Sequence, residues 1–300
     1  MRGQVIRTQS GFYTVKTEAG DLIVCQTRGR LKQGPREGDV VALGDWVELS
    51  RVDDVSGVIE AVEPRERLIS RMAPMPQGEY QQIIIANPDQ ACLVFACERP
   101  APRLGMLDRY LVIAEQGHVP AVIVANKVDL VTRQEAEALF GRYVEIGYPV
   151  IYTSVKTGEG LDALHELLIG KVSVLTGPSG VGKSSLLNVI QPGLGLEVSQ
   201  VSEATTKGRH TTVVRALFPL KEGGYVADTP GLKALALWDI EPEELDAYFP
   251  EMRARVQGCQ FSDCAHVEEP GCAVRQALDA GEIHPDRYAA YLRMRFGEEE

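Results

Sequence analysis

The chain has no long apolar run. Its most apolar stretches, residues 91–97 and 121–125, fall far short of the ~20 residues that a membrane-spanning helix needs. A helical membrane protein is therefore excluded. No apolar stretch follows Met1-Arg2-Gly3-Gln4 that could act as a secretory signal, so the cytoplasm is the expected location. Positive charge is also short, with 31 Lys and Arg against 42 Asp and Glu and a net charge of −11. That rules out a uniformly cationic nucleic-acid-binding surface. Aromatic residues make up only 6% of the chain, and it has no low-complexity tract or internal repeat. What is present is 44% hydrophobic residues over 300 positions, enough for two or three globular domains with their own cores.

The charge deficit is uneven. Residues 1–75 carry 11 basic and 11 acidic groups, whereas residues 76–300 carry 20 and 31. Within the first 39 residues, Arg2, Arg7, Lys16, Arg28, Arg30, Lys32 and Arg36 face Glu18, Asp21, Glu37 and Asp39. This local surplus suits a solvated face as well as an anion-facing one.

Residues 3–65 read as short strands, with runs at 12–15, 22–25, 40–49 and 58–62 separated by turn residues. Roughly five short strands in about 70 residues predict a small Greek-key barrel of the OB-fold or SH3-like type. From about residue 82 the rhythm changes. Apolar strands at 91–97, 121–124, 150–153 and 172–176 alternate with helical patterns at 104–115, 133–146, 161–168 and 183–190. That alternation predicts an α/β domain with a largely parallel sheet. Beyond about residue 235 the chain reads as helical and acidic, over 241–257, 273–280 and 285–296. The expected division is a β-barrel over 1–75, an α/β domain over 76–235 and a helical domain over 236–300.

Gly177-Pro178-Ser179-Gly180-Val181-Gly182-Lys183-Ser184 matches G-x-x-x-x-G-K-[ST] and sits between a strand and a helix. By composition, such a match arises by chance in on the order of 1% of chains this long. Glycines let backbone N–H groups converge on phosphate oxygens, and the helix N-terminus adds its positive dipole end. Lys183 is expected to reach the β- and γ-phosphates, Ser184 to ligate Mg²⁺, and Ser185 to close the phosphate side.

Asn126-Lys127-Val128-Asp129 follows the strand at 121–124. The carboxyl end of a strand is where α/β sheets bind ligands. A carboxylate at Asp129 can accept from both N1–H and N2–H₂ of guanine. Adenine lacks that donor pair and would leave a buried Asp129 unpaired. Asn126 is expected to meet the other edge of the base or to tie the loop together, and the stem of Lys127 to lie over the base. Ser154-Val155-Lys156 follows the next strand and is expected to finish the pocket, with an N–H near Val155 facing the guanine O6.

Asp228-Thr229-Pro230-Gly231 follows a short strand after the phosphate loop. Asp228 is expected to hold Mg²⁺ through water, and Gly231 to sense the γ-phosphate. The long segment 191–211 leads into Gly208-Arg209-His210-Thr211-Thr212, whose Thr212 is the preferred further Mg²⁺ ligand. Leu232 stands where many GTPases carry a water-orienting Gln. Intrinsic hydrolysis should therefore be slow, with His210 the nearest group able to orient or deprotonate water.

Cys259, Cys264, His266 and Cys272 lie within 14 residues. In a cytosolic chain this Cys₃His set points to one closed structural Zn²⁺ rather than to disulfides. Cys25, Cys92 and Cys97 lie in strand-like surroundings and read as buried thiols.

The guanine-specifying segments at 126–129 and 154–156 precede the phosphate loop at 177–184, which precedes 208–212 and 228–231. Ordinary GTPases place the phosphate loop first, so the order is circularly permuted. With the N-terminal barrel and the Cys-x4-Cys-x-His-x5-Cys spacing, the chain resembles the RsgA (YjeQ) family of small-subunit-dependent GTPases over essentially its whole length. The resemblance implies slow hydrolysis of GTP to GDP stimulated by the small ribosomal subunit. It also implies contacts with ribosomal RNA, a role in late subunit maturation with release of an assembly factor, and a monomer. The alternative from another class is a non-hydrolytic, GTP-dependent RNA-binding scaffold; intact Lys183, Ser184 and Asp228 favour hydrolysis, and Asp129 opposes an ATP-using enzyme.

Overall fold

The computed structural model describes residues 1–32, 38–75, 78–192, 215–228 and 240–297. Five strands open it: β1 (Arg2–Gln9), β2 (Phe12–Thr17), β3 (Leu22–Thr27), β4 (Trp46–Arg51) and β5 (Ser56–Val62). Their order is β1-β2-β3-β5-β4, and β4 pairs back onto β1, with Gly3 opposite Val47. The sheet thus closes into the five-stranded OB-type barrel. Alternation sends Val5, Val15, Ile23, Cys25, Val47, Leu49 and Ile59 inward.

The strand expected over 40–49 begins only at Trp46. A turn takes the preceding residues because buried Asp45 accepts from Ala42 N–H at 2.7 Å and is forked by Arg65 at 2.7 and 2.8 Å. Gly44 has φ +88°, and a Cβ there would stand 2.1 Å from the Ala86 carbonyl oxygen.

β6 (Leu68–Met75) and β7 (Gly78–Ala86) pair antiparallel as a separate two-stranded sheet that spans position 75/76. The α/β domain follows with β8 (Gln90–Ala96), α1 (Leu104–Gln116), β9 (Ala121–Asn126), α2 (Arg133–Ile146), β10 (Val150–Thr153), α3 (Leu161–Leu168), β11 (Val172–Thr176), α4 (Lys183–Ile190), β12 (Arg215–Pro219) and β13 (Tyr225–Asp228). Every residue of β8 and β9 is buried, as strands covered on both faces require. β10, β9, β8, β11 and β13 run parallel in that order, and β12 closes the edge antiparallel. Helix α2 starts at a capping box: Thr132 N–H donates to Glu135 at 2.7 Å and Glu135 N–H donates to Thr132 Oγ1 at 3.3 Å.

Strand β12 also pairs with β1, Arg7 opposite Ala216 and Thr8 opposite Arg215, so barrel and α/β sheet form one 11-stranded sheet. Lys16 reinforces the junction by donating to the Tyr225 hydroxyl at 2.9 Å.

The helix expected over 241–257 is broken into a 3₁₀ turn (Pro242–Tyr248), α5 (Pro250–Arg253) and a second turn (Val256–Gly258). Pro242 and Pro250 each start a new turn, because a proline disfavours helical backbone in the residue before it. α6 (Ala273–Asp279) and α7 (Pro285–Phe296) complete the domain around Leu245, Phe249, Met252, Val274, Ile283 and Tyr291. It is bolted to the α/β domain through Arg287. This fully buried guanidinium donates to Glu251 at 2.7 Å and to Asp108 of α1 at 2.8 Å, while Tyr143 of α2 donates to Asp108 at 2.9 Å. Burial works against the Arg287 charge, but Asp108 and Glu251 outweigh it and raise its pKa. Among the described residues, no helix is long and apolar enough to cross a membrane.

Candidate nucleotide and metal sites

The parallel sheet delivers the motif segments to one edge. Asn126 ends β9, Thr153 ends β10, Thr176 ends β11 immediately before the phosphate loop, and Asp228 ends β13. β11 lies between β8 and β13, with Leu175 opposite Asp228 in the register.

The loop 177–182 is shaped by glycine. Gly177 and Gly182 have φ of +145° and +101°, and a Cβ would lie 2.0 Å from the Val94 carbonyl oxygen and 2.4 Å from Asn126 Nδ2, respectively. Gly182 is the N-cap of α4, which has no side-chain cap and no acidic residue in its first turn. Its first N–H groups are thus left for an anion. Lys183 Nζ folds back over the loop and donates to the Gly177 and Pro178 carbonyls, 2.7 Å each.

Asn126 is 2% exposed and acts as a strut. Its Nδ2 donates to the Val181 carbonyl at 2.8 Å, and its Oδ1 accepts from Thr153 Oγ1 at 3.1 Å. These bonds tie the 126–129 loop to the phosphate loop and to the end of β10. Lys127, at φ +62°, donates to the Gly180 carbonyl at 2.7 Å and to the Arg99 carbonyl. Asp129 Oδ1 accepts from Ser154 Oγ at 2.6 Å, and Lys156 Nζ stands 3.8 Å from Oδ2. Ser154 Oγ in turn accepts from the N–H groups of Lys156 and Thr157, 3.2 Å each. Segments 126–129, 154–156 and 177–184 are therefore one hydrogen-bonded assembly, in which 126–129 is the middle loop, bonded to the phosphate loop on one side and to 153–156 on the other. The backbone of Asp228 reaches the same edge, whereas His210, Thr212, Gly231 and Leu232 lie outside the described residues.

On the α1 side of the phosphate loop is a cavity of about 270 Å³, lined by Phe95, Pro102, Met106, Tyr110, Pro178 and Val181 among others. No motif marked it.

The second cluster joins Cys259, Cys264, His266 and Cys272, whose ligand atoms all lie within 4.8 Å of one another. His266 Nδ1 faces the thiols, 3.3 Å from Cys272 Sγ and 3.7 Å from Cys259 Sγ, while Nε2 lies 2.9 Å from Asp246 Oδ2. Burial, with Cys272 and Cys259 alongside, pushes the Cys264 thiol up to about 12. A dication among these sulfurs would offset that cost, so the donor set fits Zn²⁺. Desolvation raises the Glu269 carboxyl, yet backbone N–H groups, including those of Ala265, Val267 and Glu268, hold it at about 2. Glu269 thereby fixes the loop between ligands, and the hydroxyls of Tyr288 and Tyr291 donate to the carbonyls of His266 and Ala265 at 2.5 and 3.1 Å. Sequence reasoning missed Asp246 and Glu269; an acidic residue in an acidic domain carries no local signal.

Two family models match the chain, the RsgA N-terminal domain over residues 2–59 and the RsgA GTPase over residues 62–238. A Gemmatimonas aurantiaca protein named small ribosomal subunit biogenesis GTPase RsgA is 46% identical over 98% of this chain and 96% of its own length. A Moorella thermoacetica protein of the same name is 44% identical over 97% and 95%. Among solved structures, YjeQ from Thermotoga maritima superposes with a TM-score of 0.79 at 38% identity, covering 99% of this chain and 98% of that one. YloQ, described as a circularly permuted GTPase, gives 0.74 at 33% identity over 99% and 94%.

Proposed function

Since the chain belongs to the RsgA family of circularly permuted GTPases and hydrolyses GTP, we propose that it does so in the late maturation of the small ribosomal subunit. The observation that supports this most is the strut from Asn126 to Val181, which ties the base-reading segment to the phosphate loop. One guanosine nucleotide spans the two. Asp129 accepts from N1–H and N2–H₂ of guanine, with Ser154 fixing its rotamer and Val155 N–H meeting O6. Lys127 covers the base. Residues 177–182 present backbone N–H groups to the phosphates. Lys183 exchanges its two carbonyl partners for β- and γ-oxygens, so it is held poised over the loop rather than being ordered by GTP. Ser184, Thr212 and Asp228 are the groups that would hold Mg²⁺ around the phosphates, with Ser185 closing the phosphate side. When bound, Mg²⁺ neutralises charge developing on the phosphoryl oxygens.

Leu232 cannot position water, so hydrolysis by the free protein is slow. His210, or a group supplied by the subunit, orients the nucleophile. Cys259, Cys264, His266 and Cys272 hold Zn²⁺, which would cross-link the loop at 259–272 to the start of α6. The functional units are residues 1–75 against ribosomal RNA, 76–235 on the nucleotide and 236–300 around the metal. The protein works as a monomer in the cytoplasm, and its nucleotide state governs release from the subunit together with an assembly factor.

The test is phosphate release measured with purified small subunits, with large subunits and with neither. Stimulation by small subunits alone is expected. Equal rates in all three refute the subunit role, and no release in any of them favours the scaffold reading.

A further inference from the structure

The barrel wears an apolar patch that its fold does not use. Among the described residues, Leu22, Val24, Val52 and Val55 are 58%, 46%, 69% and 68% exposed. They are neighbours. Leu22 and Val24 alternate with inward-facing Ile23 and Cys25, so both stand on the outer face of β3. Val24 N–H donates to the Val55 carbonyl at 2.9 Å, and Arg51 pairs with Asp21 across the same edge. Single exposed apolar residues need no explanation, but a contiguous group with a polar rim marks a binding surface.

The rim is acidic. Asp21, Asp53 and Asp54 surround the patch, and its cation, Arg51, is taken by Asp21. Asp53 accepts from the N–H groups of Val55 and Ser56 at 2.9 and 2.7 Å. With the Ser56 hydroxyl, these bonds hold its carboxyl below the usual range. Lys16, opposite Leu22 in the register, turns its ammonium to Tyr225. A phosphate backbone laid here would meet carboxylates instead of cations, while a peptide carrying aliphatic and basic side chains meets complementary groups of both kinds.

We propose that the Leu22–Val24–Val52–Val55 patch docks a basic, aliphatic segment of a small-subunit ribosomal protein. This rests on the reading that the chain acts on the small subunit. The wild-type chain, Asp54→Lys, and Val24→Ser combined with Val55→Ser are titrated against purified small subunits and against protein-free small-subunit RNA, with GTP affinity as a folding control. Asp54→Lys should weaken subunit binding by about threefold or more, as reversal of a rim charge does. The double variant should weaken it about tenfold, and neither should change affinity for the free RNA. Stronger subunit binding by Asp54→Lys means that the patch faces RNA and overturns the proposal. Unchanged binding by both variants, with the wild type bound, overturns the patch alone. A wild type that does not bind subunits overturns the subunit reading and the patch with it.

Discussion

Replacing Asp129 with Asn should exchange guanine for xanthine specificity without disturbing the pocket. Ser154 Oγ donates to Asp129 Oδ1 at 2.6 Å, and an amide oxygen accepts that bond equally well. The contact with Lys156 at 3.8 Å is lost, but the Lys156 side chain is 78% exposed, so this costs at most about 0.5 kcal/mol. The loss falls on the ligand. Two hydrogen bonds from guanine to a charged acceptor are worth about 1.5–3 kcal/mol each, so GTP affinity should fall by about 3–6 kcal/mol, or 10²–10⁴-fold. The new amide N–H₂ donates to the 2-oxo group of xanthine, and xanthosine triphosphate should bind in place of GTP. Wild-type protein should bind inosine triphosphate, which lacks the 2-amino group, about 10–100-fold more weakly than GTP. Competition against a fluorescent guanine nucleotide reads all of these. A loss of GTP affinity below tenfold, or no gain for xanthosine triphosphate, would refute the assignment of Asp129 to the base.

Other perturbations probe the frame around the site. Arg287→Met strands Asp108 and Glu251 in the interior; leaving one member of a buried ion pair costs about 3–5 kcal/mol, a drop of about 10 °C in melting temperature. A change under about 2 °C would show the network to be dispensable. Cys264→Ser should remove bound zinc from the purified protein, and a full equivalent remaining by elemental analysis counts against the site. The Thr132 backbone and hydroxyl lower the Glu135 pKa below its ordinary 4.5, so the capping box contributes stability above that value and loses it as pH falls through the depressed one. Glu135→Gln should therefore be less stable than wild type at pH 7 in denaturant melts, with the gap closing below pH 4.5. A pH-independent gap contradicts the linkage.

The parts legible in the sequence are those where one residue type alone meets a local demand. Gly177 and Gly182 stand where a Cβ would strike backbone or Asn126, so the phosphate loop announces itself. Runs such as 91–96 are buried on both faces, and unbroken apolar sequence is the direct mark of that. What stayed hidden depends on long-range partners. β1 reads as polar because its outer face carries Arg7 and Gln9, and β12 reads as a fragment. The turn at 40–45 depends on Arg65, some 20 residues away, reaching Asp45, so its apolar residues imitate a strand. The prolines at 242 and 250 were local signals, outweighed by the helical periodicity of the apolar residues around them.

The pairing of β1 with β12 shows what local reading misses about architecture. Left bare, β12 would expose a row of backbone donors and acceptors at the sheet edge, an invitation to pairing with another chain. The barrel covers that edge with its own first strand, through Arg7 and Thr8 against Ala216 and Arg215. Neither strand announced the contact, because the pairing rests on backbone registers that carry no residue-type signal. The same junction uses Lys16 on Tyr225, and β13, which carries Tyr225, ends at Asp228. The strand that delivers Asp228 to the nucleotide edge is thus held at its opposite end by the barrel. Rotating the barrel away from β12 must break both the ladder and the Lys16–Tyr225 bond, so barrel position and the register of β12 and β13 are linked mechanically.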